Sequence, residues 1–442
     1  VKPLFPASEL PQEPAQARLL GLYPQRQPGL WMQRVKVAGG MLTAQQWRAV
    51  SHIARSLTPA TPLHLTTRQD LELHDLTAEA VPAAQAAMAA AGLTGLGACG
   101  DTLRNITMCP CCRGGVGAFD LAPAATAVRA TLEACESIYA LPRKFKPSFS
   151  CSTACGQPFI NDLAFVLSVR DGQAGFAAYG AGSLGARPAT GIPLRQWLPA
   201  AHAPALALAM VRLFNTHGDR HNRSRARVRH IRQRMGDEAF LTALNQELEQ
   251  VLGERPWPAL GLPSVAQPPA CLVLTFHNGD IRPEQADVLA SLTEGGLKVV
   301  IGIYHQVMLF GQPEQLDAAA THPTLQPAAQ PQAAIVACAG MRWCSRAVAD
   351  THGLAGAIRH AVGERLPVNV VVAISGCPNG CAHSAVADFG LIGMLGQRGG
   401  RRRQVYNLLA GGGLGHDDRL AEQVAEKLTA QEVVHDIAAR LG

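Results

Sequence analysis

Ser375-Gly376-Cys377-Pro378-Asn379-Gly380-Cys381 is the stretch on which the fold reading turns. It sets two thiols in a C-x3-C pair, and the β-rich run Val368-Asn369-Val370-Val371-Val372-Ala373-Ile374 before it predicts a strand that delivers the pair to one end of a sheet. Gly376, Pro378 and Gly380 permit the tight backbone that two ligands so close together need. Cys338 and Cys344 form a second, C-x5-C pair. The apolar run Ala333-Ala334-Ile335-Val336-Ala337 predicts a buried strand ending at the first of them, and Cys344 opens a polar segment predicted to begin a helix. Four thiolates in two pairs suit a [4Fe-4S] cluster, because a soft iron-sulfide cube is held by soft anionic sulfur. Zinc is the competing reading, but zinc pairs are typically C-x2-4-C or include histidine. A disulfide framework fits less well still in a long chain without a secretory signal.

With 442 residues and 48% hydrophobic content, the chain is long enough for two or three domains with their own cores. No apolar run reaches the length of a membrane span, and Val1-Lys2-Pro3-Leu4-Phe5-Pro6 lacks the apolar stretch of a signal peptide, so the expectation is a cytoplasmic protein without a membrane partner. In such a chain 12 cysteines favour metal or redox chemistry. The formal charge of +6 is modest, yet basic residues crowd the segment from Arg220 to Arg234. That run suits nucleic acid, a solvated helix face, or a cradle for a polycarboxylate cofactor or an acidic protein. Aromatic content is only 5% and no aromatic interleaves the run, which makes nucleic acid the weakest of the three. No GxGxxG fingerprint opens a βαβ unit, so flavin and nicotinamide belong on a partner.

In chain order, residues 1–30 are proline-rich and predicted to wrap over the surface. A strand is expected from Leu30 to Val37, a turn at Gly39-Gly40, a helix from near Thr43, and a second strand from Leu63 to Leu73 on its apolar/polar alternation. The same order recurs at Leu272 to Phe276, the Asn278-Gly279 turn, a helix from Pro283 to Leu292 and a strand from Leu297 to Ile303. Ser150-Cys151-Ser152-Thr153-Ala154-Cys155 followed by Asn161 to Val166 echoes Ser375 to Cys381 followed by Ala387 to Ile392, and each copy reaches a glycine loop, Gly180 to Gly185 and Gly411 to Gly415. The chain therefore reads as two related halves joined near a linker from Pro256 to Pro269. The expected units are 1–80 and 81–255 in one half and 256–325 and 326–442 in the other.

Several stretches together resemble the siroheme-dependent nitrite and sulfite reductase family over nearly the whole chain. They are Leu20-Gly21-Leu22-Tyr23-Pro24-Gln25-Arg26, Gln33-Arg34-Val35-Lys36, Leu65-Thr66-Thr67-Arg68-Gln69, Gly97 to Asp101 with Arg104-Asn105, Leu141 to Lys146, and the four cluster cysteines. The resemblance implies an internally duplicated, pseudo-twofold α/β (α+β) fold of three lobes, in which siroheme and a [4Fe-4S] cluster share one thiolate, Cys381. It further implies that 1–80 and 256–325 are ferredoxin-like half-domains and 81–255 and 326–442 cofactor-binding lobes. It places Arg34, Arg104, Lys144 and Lys146 around the distal face of the siroheme iron. It also assigns Thr66, Arg68, Asn222, Arg223, Arg227, Asn379 and Cys381 to cofactor binding. Chemistry agrees with the distal set: a small oxyanion losing its oxygens needs cations to hold it and proton donors to turn those oxygens into water.

Members that reduce nitrite commonly carry asparagine where this chain has Lys146, and a second lysine suits a dianion, so the expectation at this stage is a sulfite reductase. The alternatives are nitrite reductase on the same scaffold, a precorrin-3B synthase-like oxygenase, and a protein that only relays electrons. The expected electron donor is ferredoxin or a flavoprotein subunit, drawn to a basic rim. Tyr23 and Cys99 fall where some members carry a tyrosine-cysteine thioether. His64 and Glu72 depart from the arginine and glutamine common in the family, and a glutamate beside a carboxylate-rich macrocycle is unfavourable unless paired. Cys109, Cys111 and Cys112, with Cys151 and Cys155, are expected to be buried thiols, with a second cluster as the alternative.

Overall fold

The computed structural model describes residues 4–110, 119–265, 270–413 and 419–441. Among these residues the strands form four sheets, and the sheets come as two matched pairs. In the first pair, strands Leu30–Val35, Leu71–Thr77 and Leu63–Leu65 lie side by side in that order, all antiparallel. Strands Ala270–Thr275, Gln306–Gly311 and Lys298–Ile301 repeat the order and the sense. Each half follows its first strand with a helix. Ala44–Leu57 starts at a capping box between Thr43 and Gln46, and Pro283–Glu294 starts on a proline whose missing N–H costs nothing there. These helices pack on each other, with the Ser51 hydroxyl donating to the Pro283 carbonyl at 2.9 Å, and one apolar core runs through both halves.

The halves also exchange strands. After its first strand each makes a turn of two consecutive positive-φ residues, Gly39 (59°) and Gly40 (75°) in one, Asn278 (57°) and Gly279 (78°) in the other. The chain leaving each turn then pairs with the opposite half: Met41 bridges to Val300, and Asp280–Ile281 joins Leu63–His64. The turns must be small as well as left-handed. A Cβ on Gly40 would lie 2.7 Å from the Ile301 carbonyl oxygen, and one on Gly279 would lie 3.0 Å from that of Leu65.

The second pair of sheets builds the two larger lobes. Thr107–Met108, Pro147–Ser150, Leu163–Arg170, Gln173–Gly180 and Ile192–Pro199 are joined by two parallel and then two antiparallel pairings. Ala334–Ala337, Val371–Ser375, Phe389–Arg398, Arg401–Ala410 and Glu422–Leu428 repeat that sequence of senses. Each sheet backs onto its own apolar core, helices 122–133, 203–217 and 237–254 covering the first and helices 351–362 and 430–441 the second. The mixed α/β fold and its duplication are therefore those expected. Among the described residues no helix is long and apolar enough to cross a membrane.

Three local expectations fail for identifiable reasons. Leu63 to Leu73 is a hairpin, not one strand: Thr66 to Asp70 make a tight loop with Gln69 at φ 61°. Cys344 closes the short helix Gly340–Trp343 instead of opening one, because its N–H is taken by the Gly340 carbonyl. Before residue 30 the chain does more than wrap the surface, since Ala17, Leu20 and Leu22 are buried in the shared core.

Gly40→Ala is expected to destabilise the protein by about 2 kcal/mol or more, since it adds a clash with Ile301 to an unfavourable φ. Gly29→Ala is the control. It has a similar φ of 78° but open space around it, and chemical denaturation should show it costing clearly less.

Candidate active site

Two loops at the ends of neighbouring parallel strands carry the four cluster cysteines. Cys338 leaves strand Ala334–Ala337 and its Sγ accepts from the Gly376 N–H at 3.2 Å, so it lies against the loop that holds Cys377 and Cys381. Cys344 is brought to the same loop by the Val348 N–H, which donates to the Gly376 carbonyl at 2.8 Å. A Cβ at 376 would lie 3.0 Å from that of Ala347, so the close packing of the two loops favours glycine there. Burial pushes the Cys338, Cys344 and Cys377 thiols up, and the Cys381 sulfur adds to the push on each. Four mutually repelling sulfurs are what a polynuclear cationic centre relieves.

The Thr66–Asp70 loop faces this centre. Thr67 Oγ1 donates to the Cys381 carbonyl at 2.8 Å, and Arg68 reaches Asn161 Oδ1 at 2.9 Å and the Pro147 carbonyl at 2.7 Å. The Thr66 hydroxyl accepts from the N–H groups of Arg68 and Asp70 and holds the loop's shape. Arg34 projects from strand Leu30–Val35, Arg104 from the loop before Thr107, and Lys144 and Lys146 from the segment entering Pro147–Ser150. These cations crowd one another. Burial, then Arg227 and Arg104, bring Lys144 down to about 7. Burial, then Lys144, Arg68, Arg227 and Arg104, hold Lys146 well below the ordinary lysine value. Burial likewise lowers Arg68 to about 9 and lowers Arg104.

Glu72, which the sequence left as a liability, is paired. Its Oε1 accepts from Arg34 Nε at 2.9 Å and from Arg34 Nη2, and its Oε2 meets His74 Nε2 at 3.0 Å. His64 is bonded instead to Asp280 Oδ1 at 3.2 Å, beside Arg342. Tyr23 and Cys99 lie near each other and near Arg34 and Arg104. Burial and the Cys99 sulfur raise the Tyr23 hydroxyl.

The basic run divides. Arg227 is buried and bidentate on Asp162, at 3.1 and 2.7 Å, and Asp162 also accepts the Lys146 N–H. Arg223 is exposed and paired with Asp101, while Asn222 caps the turn that follows through Ser224. Asn379 sits in the turn between Cys377 and Cys381, whose backbone approaches Gly185. Sequence reasoning passed over Arg229, which is buried with Nε and Nη1 unpartnered and is brought down to about 10 by burial and Arg227. It also passed over His383, a left-handed residue at φ 69° brought down to about 3 by burial, Lys146 and Arg68. The run's uniform basicity hid which arginine faces inward.

In the first lobe, Cys109, Cys151 and Cys155 follow the strands that match those carrying the cluster cysteines. Cys109 and Cys151 sulfurs are 3.9 Å apart, and Cys155 Sγ donates to Ser150 Oγ at 3.1 Å. Cys111 and Cys112 lie outside the described residues.

The cleft fits a polyanionic macrocycle beside a cluster. Arg68 Nε, Arg104 Nε, Arg229 Nε and Nη1 and Ser148 Oγ are buried without partners, and so many enclosed cations are stable only against a ligand that brings negative charge.

The nitrite and sulphite reductase 4Fe-4S domain model matches residues 99–252 and 331–441, and the family's ferredoxin-like half domain matches residues 23–91. The ferredoxin–nitrite reductase of Synechococcus elongatus is 29% identical, over 92% of this chain and 84% of its own. The assimilatory ferredoxin-dependent nitrite reductase of Haloferax mediterranei is 27% identical over 95% and 80%, and the chloroplastic ferredoxin–nitrite reductase of Zea mays 26% over 98% and 82%. The solved structure of the Mycobacterium tuberculosis NirA protein shares the fold, with a TM-score of 0.83 and 23% identity over 96% of this chain and 85% of that one. These relatives overturn the sulfite reductase expectation, which rested on Lys146 as an added charge. Burial, and then four other cations, hold that lysine well below the ordinary lysine value, so its residue type alone is a poor guide to the charge it brings. The family models span both lobes and the first half-domain, the cysteine turns suit the [4Fe-4S] cluster and the cationic cleft suits siroheme, and the chain is an oxidoreductase that belongs to the nitrite and sulphite reductase family.

Proposed function

We propose that this protein is a ferredoxin-dependent nitrite reductase that carries out the six-electron reduction of nitrite to ammonium. The observation that carries this reading is the convergence of Arg34, Arg104, Lys144 and Lys146 beside the Cys381 turn, in a chain whose relatives are named nitrite reductases. Cys338, Cys344, Cys377 and Cys381 would hold the cluster. Arg68 and Arg229, with Thr66, Asn379, Asn222 and Arg223, would bind the carboxylates of siroheme, while Arg227 fixes Asp162 behind Lys146. When bound, siroheme supplies the iron that holds the small oxyanion, and the cluster supplies electrons singly.

The chain's own groups do the remainder. Arg104 and the outward edge of Arg34 orient the anion through fixed N–H donors. Lys144 titrates near the working pH, so its Nζ donates a proton to a departing oxygen and is refilled at little cost. Lys146 Nζ, held well below the ordinary lysine value by burial and its cationic neighbours, offers a further hydrogen bond.

Three measurements test this. With chemically reduced ferredoxin, ammonium from nitrite should form faster than sulfide from sulfite, and the reverse order would overturn the reading. A proton on Lys144 is present below its value and lost above it, so nitrite turnover should fall as pH rises through about 7. Lys144→Arg should remove that limb and lower kcat by about 100-fold. Arg229→Met should reduce the siroheme bound per chain, read from the visible spectrum, while iron and sulfide from the cluster are retained.

A further inference from the structure

We propose that Glu72 sets the charge selectivity of the distal pocket, favouring a singly charged oxyanion over a doubly charged one. The inference rests on the nitrite-reducing reading and deepens it by naming the residue that discriminates.

Four basic side chains around one small anion suggest a strongly positive pocket. The contacts say otherwise at Arg34. Its Nε and Nη2 both donate to a single oxygen of Glu72, and Nη1 reaches the Ala98 carbonyl at 3.3 Å. The carboxylate is 5% exposed, and Arg34 keeps it well below the usual carboxylate range, so it stays ionised against burial. It cannot swing away, because its other oxygen is held by His74 Nε2. His74 is fixed in turn: it stacks on Trp343 with ring centroids 4.0 Å apart, and burial lowers it below the ordinary histidine value, so the ring is neutral and its one N–H goes to Glu72.

Arg34 therefore offers direction without net charge. A monoanion bound through oriented N–H groups loses little by this, whereas the second charge of sulfite finds one fewer counter-charge in a cleft of low dielectric. One unit of charge at roughly 10 Å, through an effective dielectric near 20, corresponds to about tenfold in affinity per ligand charge.

The test uses holoenzyme carrying both cofactors, with dissociation constants for nitrite and sulfite read from the perturbation of its visible spectrum, and KM and kcat measured beside them. Glu72→Gln should tighten sulfite about tenfold more than nitrite, in Kd and KM and not in kcat. Glu72→Asp, which keeps the charge, should hold the wild-type ratio. Arg34→Gln with Glu72→Gln removes both charges at once and should return the ratio close to wild type, which keeps the idea testable if the single variant loads cofactor poorly. An unchanged ratio in Glu72→Gln, or Glu72→Asp behaving like Glu72→Gln, would overturn the proposal. Wild-type enzyme that reduces sulfite in preference to nitrite would instead defeat the nitrite reading itself.

Discussion

The five-residue loop from Thr66 to Asp70 is the contact on which the remaining structure depends, because it touches every lobe through hydrogen bonds. Gln69 is fully buried. Its Nε2 donates to the Met108 and Ile301 carbonyls, and its Oε1 accepts the Met108 N–H, all at 2.8 Å, so one side chain ties the first lobe to both half-domains. Asp70 accepts the Val37 N–H, Arg68 reaches across to Asn161 and Pro147, and Thr67 meets the carbonyl of Cys381. Leaving any of these backbone groups unpaired in the interior costs about 1–3 kcal/mol each. The cleft is thus not a gap left between lobes. It is spaced by a loop whose length and conformation are fixed from four sides.

How much of this could be read in advance depended on whether the physics was local. The cluster cysteines were legible because ligand spacing and the strands before them lie within a few residues of each other, and the duplication because both copies keep the same order of elements. The Thr66–Asp70 loop was not. Leu63, Leu65, Leu71 and Leu73 keep one period-two register across the five polar residues between them, and the residue that turns the chain is Gln69, which gives no turn signal comparable to glycine or asparagine. What holds it left-handed is tertiary, the three bonds to Met108 and Ile301. Arg229 and Arg223 look alike in a run of arginines, and only the fold decides that one is enclosed and the other meets water and Asp101.

The substrate error has the same root. Counting basic residues measures what a pocket would carry in water, whereas the enclosed site decides which of them stay charged. Lys146 is discouraged from ionising by its neighbours, and Arg34 is matched by a carboxylate pinned in place. In the proposed reading the four cations of the motif act as four different groups: a director shielded by Glu72 in Arg34, a guanidinium in Arg104 whose Nη1 reaches the Gly100 carbonyl while its Nε has no protein partner, a proton donor near neutrality in Lys144, and an amine held well below the ordinary lysine value in Lys146.

The strand exchange between the half-domains bears on how such a protein can change over generations. Because Asp280–Ile281 extends the sheet of the first half and Met41 reaches into the second, neither half can be deleted, swapped or inherited alone without stripping an edge from the other. The two copies are free to diverge in chemistry, so that the cysteine spacing of one lobe is not repeated in the other, where Cys109, Cys151 and Cys155 follow the matching strands. They are not free to part company, and the ancestral duplication survives as an architectural commitment after its chemical symmetry has been spent.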